Sequence, residues 1–122
     1  MENKLFITIT GTGFYYGEKP FEIGRTVWLR KDIDNDYDSE AIMVELPYIG
    51  KVGYVANSHK TVIKGTMSAG RLYDKIGTTA LAKIKFVMGE YIVAEITEAE
   101  KLRKTWEDFC PDEETIKIEW NI

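Results

Sequence analysis

Ala82-Lys83-Ile84-Lys85-Phe86-Val87-Met88-Gly89-Glu90-Tyr91-Ile92-Val93-Ala94-Glu95-Ile96 is the stretch on which the fold turns. Ala82, Ile84 and Phe86 fall on one side of an extended chain and Lys83 and Lys85 on the other, because successive side chains of a strand point to opposite faces. Gly89-Glu90 then supplies a turn into a second β-favouring run, so the stretch predicts a β-hairpin with Phe86 on its apolar face. Working outward, the same period appears at Leu5, Ile7 and Ile9, which alternate with Phe6, Thr8 and Thr10. Val27-Trp28-Leu29, Ile42-Met43-Val44-Glu45-Leu46 and Val52-Gly53-Tyr54-Val55 repeat it, separated by turn-forming Gly, Pro, Asn and Asp. Six short strands predict a mostly β fold, a small barrel or sandwich, since closing the sheet removes exposed edges.

Two helical pieces are expected beside the strands. One is short, near Ala69–Ile76. The other runs from about Glu98 to Phe109 and ends before Pro111, with Ala99, Leu102 and Trp106 on one face covering an open barrel edge. Thr115–Trp120 alternates again and predicts an added edge strand. The division that follows is a barrel over residues 1–97 and a helix and edge strand over residues 98–122, packed on the same domain.

At 122 residues and 44% hydrophobic content the chain fills one core. It has no apolar run of about 18 residues, and Met1-Glu2-Asn3-Lys4 enters a strand without a secretory pattern, so a cytoplasmic protein with no membrane contact is expected. The single cysteine, Cys110, makes neither an intramolecular disulfide nor a thiolate cluster. The formal charge of −4 argues against nucleic acid until its distribution is considered. Residues 98–122 carry eight acidic against four basic side chains, leaving residues 1–97 neutral. Within that neutral part, residues 51–75 hold Lys51, Lys60, Lys64, Arg71 and Lys75 against Asp74.

Several chemistries fail on the residues they need. Gly11-Thr12-Gly13-Phe14-Tyr15-Tyr16-Gly17 follows a strand but leads into Lys19-Pro20 instead of a helix, so it is a loop and not a dinucleotide fingerprint. Asp32-Ile33-Asp34-Asn35-Asp36-Tyr37-Asp38-Ser39-Glu40 spaces carboxylates like a calcium loop. Tyr37 stands where the turn glycine belongs and Met43 where the bidentate glutamate belongs, which favours a turn-forming acidic loop. His59 adjoins Ser58 without a separate orienting group, and paired carboxylates such as Asp36 and Asp38 come with no cleft. Neither catalysis nor a cofactor is expected.

What remains is aromatic residues interleaved with polar ones: Phe14, Tyr15 and Tyr16; Asn35, Tyr37 and Asp38; Tyr54, Asn57 and Lys60. Unpaired bases stack on such aromatic faces while lysines meet phosphates. The competing assignment for each ring is simple core packing.

Gly11–Gly17, the strand Val27–Arg30, the stretch from Asp32 to Val44 and Lys51-Val52-Gly53-Tyr54-Val55 together resemble the HIRAN domain in order and spacing. The resemblance is strongest over residues 3–97. It implies an OB-like or SH3-like barrel that binds the 3′ end of single-stranded DNA, here as a stand-alone module without a motor. It also implies that Asp38 accepts a hydrogen bond from the terminal hydroxyl, that Tyr37 and Phe14 contact the terminal bases, and that Asn35 holds the loop or touches a phosphate. The sequence departs from the family's repair-protein versions where Gly13 replaces a basic residue and Tyr54 and Asn57 replace a histidine and a lysine. Lys51, Lys60, Lys64 and Arg71 are the candidates to supply the lost phosphate contacts. The rival reading is a protein-interaction barrel anchored by Trp28, Trp106 or Trp120.

Overall fold

In a computed structural model, residues 4–101 are described. They form six strands: β1 (Phe6–Thr10), β2 (Thr26–Lys31), β3 (Ile42–Leu46), β4 (Gly50–Val55), β5 (Thr79–Met88) and β6 (Tyr91–Lys101). A 3-10 turn at Thr12–Phe14 follows β1, and a five-residue helix α1 (Ala69–Tyr73) lies between β4 and β5. The strands close into a barrel in the order β1-β4-β3-β2-β5-β6, every neighbour antiparallel. The expected mostly β barrel is the observed fold.

Sequential hairpins build most of the sheet, since β2–β3, β3–β4 and β5–β6 are neighbours in both sequence and space. β1 closes it by lying between β4 and β6. The inward set is apolar and alternates as a pleat demands: Ile7 and Ile9 on β1, Val27 and Leu29 on β2, Ala82 and Ile84 on β5, Ile92 and Ala94 on β6. Leu72 and Ala69 of α1 join the same cluster and plug one side of it. α1 starts cleanly because the Ser68 hydroxyl caps the Arg71 amide.

Gly53 is dictated by the closing seam. A Cβ there would lie 3.0 Å from the Thr10 carbonyl oxygen, 3.1 Å from Ile9 Cγ2 and 3.3 Å from Thr12 Cγ2. Only a residue without a side chain lets β1 approach β4 this closely.

Three expectations change. The β5–β6 register slips between Ile84 and Phe86, so that Ile84 opposes Ala94 but Phe86 opposes Val93. This bulge inverts the alternation: Val87 packs on the core and Phe86, expected beside Ala82 and Ile84, faces solvent at 58% exposure. β6 runs through Lys101, with Glu98 opposite Leu81 and Lys101 opposite Thr79, so no helix begins at Glu98. The rest of that expected helix and the strand over Thr115–Trp120 lie outside the described residues. Trp28 is 2% exposed and cannot serve as a surface anchor; Trp106 and Trp120 lie outside the described residues.

Candidate nucleic-acid interface

The acidic run forms a closed loop between β2 and β3. Asp32 N–H donates to the Ala41 carbonyl (2.9 Å) and Ala41 N–H to the Asp38 carbonyl (3.2 Å), pinning the two ends together. Asn35 shapes the interior: its Oδ1 accepts from the amides of Tyr37 (2.8 Å) and Asp38 (2.9 Å), and its Nδ2 donates to Asp32 Oδ2 (3.2 Å). Asp and Asn turn the chain this way because a short polar side chain can replace a backbone partner. Tyr37 is consequently thrust outward, 99% exposed.

Asp38 itself is held from two directions. Its Oδ1 accepts from the Glu40 amide (2.9 Å) and its Oδ2 from Asn57 Nδ2 (3.1 Å). Asn57 is anchored in turn, because its Oδ1 accepts from the Gly70 amide at 2.8 Å. A carboxylate offers about four acceptor positions, so capacity remains for an incoming hydroxyl.

On the other side of the loop, Lys51 Nζ donates to Tyr54 Oη (2.7 Å), which donates to Asp32 Oδ2 (2.9 Å). Partial burial pushes the Tyr54 phenol above its ordinary 10.0, with the Asp32 charge adding to that and Lys51 opposing it. The hydrogen bond to Tyr54 raises Lys51 above its ordinary 10.5. Lys51 also lies 4.9 Å from the Tyr54 ring centre and 5.9 Å from that of Tyr15, joining the 3-10 turn to β4.

These elements enclose a groove of about 460 Å³ lined by Asn35, Tyr37, Asp38, Tyr54, Asn57, Ser58, Thr61, Thr10, Ala41 and Val55. Five of the eight sequence-predicted site residues, Asn35, Tyr37, Asp38, Tyr54 and Asn57, thus meet on one surface. Phe14, 88% exposed, and Tyr15 stand on the 3-10 turn, outside this lining. Lys60 lines an adjacent recess that shares Thr10 and Thr61 with the groove. Asp32 emerges as a residue to which the sequence assigned no role at the site, and Lys51, expected as a phosphate contact, is bonded to Tyr54. The signal for Asp32 was its place three residues before Asn35, the spacing of their hydrogen bond. Among the described residues no three His, Cys, Asp or Glu side chains converge as a metal site. The carboxylates of Asp32 and Asp38 are instead occupied with amide and hydroxyl donors.

The HIRAN domain family model matches residues 3–86. The crystal structure of the HIRAN domain of human HLTF superimposes with a TM-score of 0.57 at 17% identity, covering 97% of this chain and 89% of that one, a likeness of fold. Among curated proteins none matches.

Proposed function

The chain belongs to the HIRAN domain family, a family of DNA-binding domains, and on that premise we propose that it is a non-enzymatic module that grips the 3′ end of single-stranded DNA. The observation that carries this reading is the Asp38 carboxylate, oriented by the Glu40 amide and Asn57 on a backbone that Asn35 fixes, in a groove beside the exposed Tyr37. A terminal 3′-hydroxyl donates a hydrogen bond to that carboxylate, whereas a terminal phosphate brings like charge against it. Tyr37 offers a free ring face on which the terminal base stacks. Tyr54 is committed to Lys51 and Asp32, so it positions the loop, and Lys51 keeps its charge over the aromatic pair of Tyr15 and Tyr54.

A hydrogen bond to a charged partner contributes about 1.5–3 kcal/mol, or roughly ten- to hundred-fold in affinity. Fluorescence polarisation with oligonucleotides ending in 3′-hydroxyl or 3′-phosphate tests this at low salt. The hydroxyl end binds more tightly by at least about ten-fold, and Asp38→Asn, which keeps an acceptor but removes the charge, narrows the difference. Equal affinity for the two ends would remove Asp38 from the role of end reader.

A further inference from the structure

Beside the groove, and sharing Thr10 and Thr61 with it, lies a recess of about 240 Å³ that reaches Thr8, Lys60 and Tyr91. On the far side of Tyr91, which lines both, lies an apolar groove of about 400 Å³ containing Phe6, Ile63, Phe86 and Met88. Thr10, Thr8 and Phe6 are the residues of β1 that point away from the barrel core, so this strand floors the recesses over about 13 Å at ~3.3 Å per residue, with Thr8, 3% exposed, tucked beneath the segment 60–66. One wall is the segment 60–66, fixed on β1 by the Ile63 amide donating to Thr8 Oγ1 (3.1 Å) and by Thr66 Oγ1 against Thr8 Oγ1 (2.8 Å). The opposite wall is the tip of the β5–β6 hairpin, where the bulge has turned Phe86 outward beside Met88 and Tyr91.

We propose that this channel is the track for the nucleotides upstream of the bound end, with Tyr91 and Phe86 as stacking faces and Lys60 and Lys64 as phosphate contacts. The proposal rests on the end-binding reading above and extends it. Three observations converge. The two recesses adjoin the groove that holds Asp38 and Tyr37 in succession, the first sharing Thr10 and Thr61 with it and the second sharing Tyr91 with the first. It pairs exposed rings (Phe86 and Tyr91, 58% and 55% exposed) with lysines, the combination by which single strands are held without base reading. Lys60 and Lys64 are exposed on its wall and make no ion pair with another described residue, leaving both charges for phosphate. Among the described residues that line the two recesses, Glu90, beside Lys60, is the one carboxylate, so the lysines outnumber it. At a stacked spacing of ~3.4 Å the floor takes at most about four nucleotides.

The test compares a thymidine dinucleotide with an octanucleotide, both ending in 3′-hydroxyl, by fluorescence polarisation competition. Wild type binds the octanucleotide at least about ten-fold more tightly. Tyr91→Ala reduces octanucleotide affinity about five-fold or more and leaves the dinucleotide unchanged. Lys60→Ala, on an exposed loop, lowers the slope of log affinity against log salt by about 0.7 for the octanucleotide alone. Equal affinity for the two lengths in wild type, or variants that leave the octanucleotide unaffected, overturns the track while the end-reading site stands. Failure of wild type to bind either oligonucleotide overturns both. Thermal melting checks that each variant is folded, and the lysine variant carries the test if Tyr91→Ala is not.

Discussion

Gly53→Ala adds one methyl group at the seam where the barrel closes, and the structure sets its consequence. The new Cβ would meet the Thr10 carbonyl at 3.0 Å, Ile9 Cγ2 at 3.1 Å and Thr12 Cγ2 at 3.3 Å, all closer than ordinary contact. None of these atoms is the end of a long flexible side chain, so β1 itself must give way. Overpacking of this kind costs about 1–3 kcal/mol. Reduced freedom of the unfolded chain returns about 0.4–1 kcal/mol. The net loss is about 1–2 kcal/mol, which lowers the melting temperature by roughly 4–10 °C in a domain of this size. Urea denaturation should show a lower midpoint at unchanged m-value. Because the displaced strand carries Thr10, which lines both the groove and its neighbour, oligonucleotide affinity should fall as well. A variant as stable as wild type, or more stable, would refute the close approach of β1 to β4.

Asn35→Ala removes the acceptor of two loop amides and one donor to Asp32. These groups are near water, so stability drops by only about 1 kcal/mol in a denaturation curve while end binding falls at least ten-fold; unchanged binding would show the loop holds its shape without Asn35. The Lys51–Tyr54 pair gives a pH dependence whose sign is fixed: both folded-state values lie above the unfolded ones, so their contribution is complete below about pH 10 and is lost as pH rises through the folded values. Tyr54→Phe should flatten the alkaline limb of the stability profile, and an identical limb in both proteins would contradict the assignment.

Alternation along Ile7–Ile9, Val27–Leu29 and Ala82–Ile84 was enough to find a mostly β fold with an inward apolar set, and the family resemblance chose the barrel over a sandwich. Phe86 escaped that logic: counting residues assumes an unbroken pleat, and the bulge after Ile84 breaks it. Glu98–Lys101 escaped because the spacing of Ala99, Leu102 and Trp106 fits one face of a helix, yet the first residues of β5, Thr79 to Leu81, pair with β2 on one edge and leave the other edge to an extended β6. The acidic loop was legible as a turn and, through the family resemblance, as a candidate site. Its internal wiring was not, since the link from Lys51 through Tyr54 to Asp32 depends on β4 passing beside the loop. Phe14 and Lys60 were grouped with Tyr37 by residue type, and the fold sets them at its margins, on the 3-10 turn and in the next recess.

The most direct test of the account is to titrate a short single strand with a free 3′-hydroxyl into isotopically labelled protein and follow the backbone amides by nuclear magnetic resonance. Shifts centred on Tyr37, Asp38, Tyr54 and Asn57 are the predicted result. Saturable binding whose shifts avoid the loop between β2 and β3, or a spectrum unchanged at saturating oligonucleotide, would contradict it.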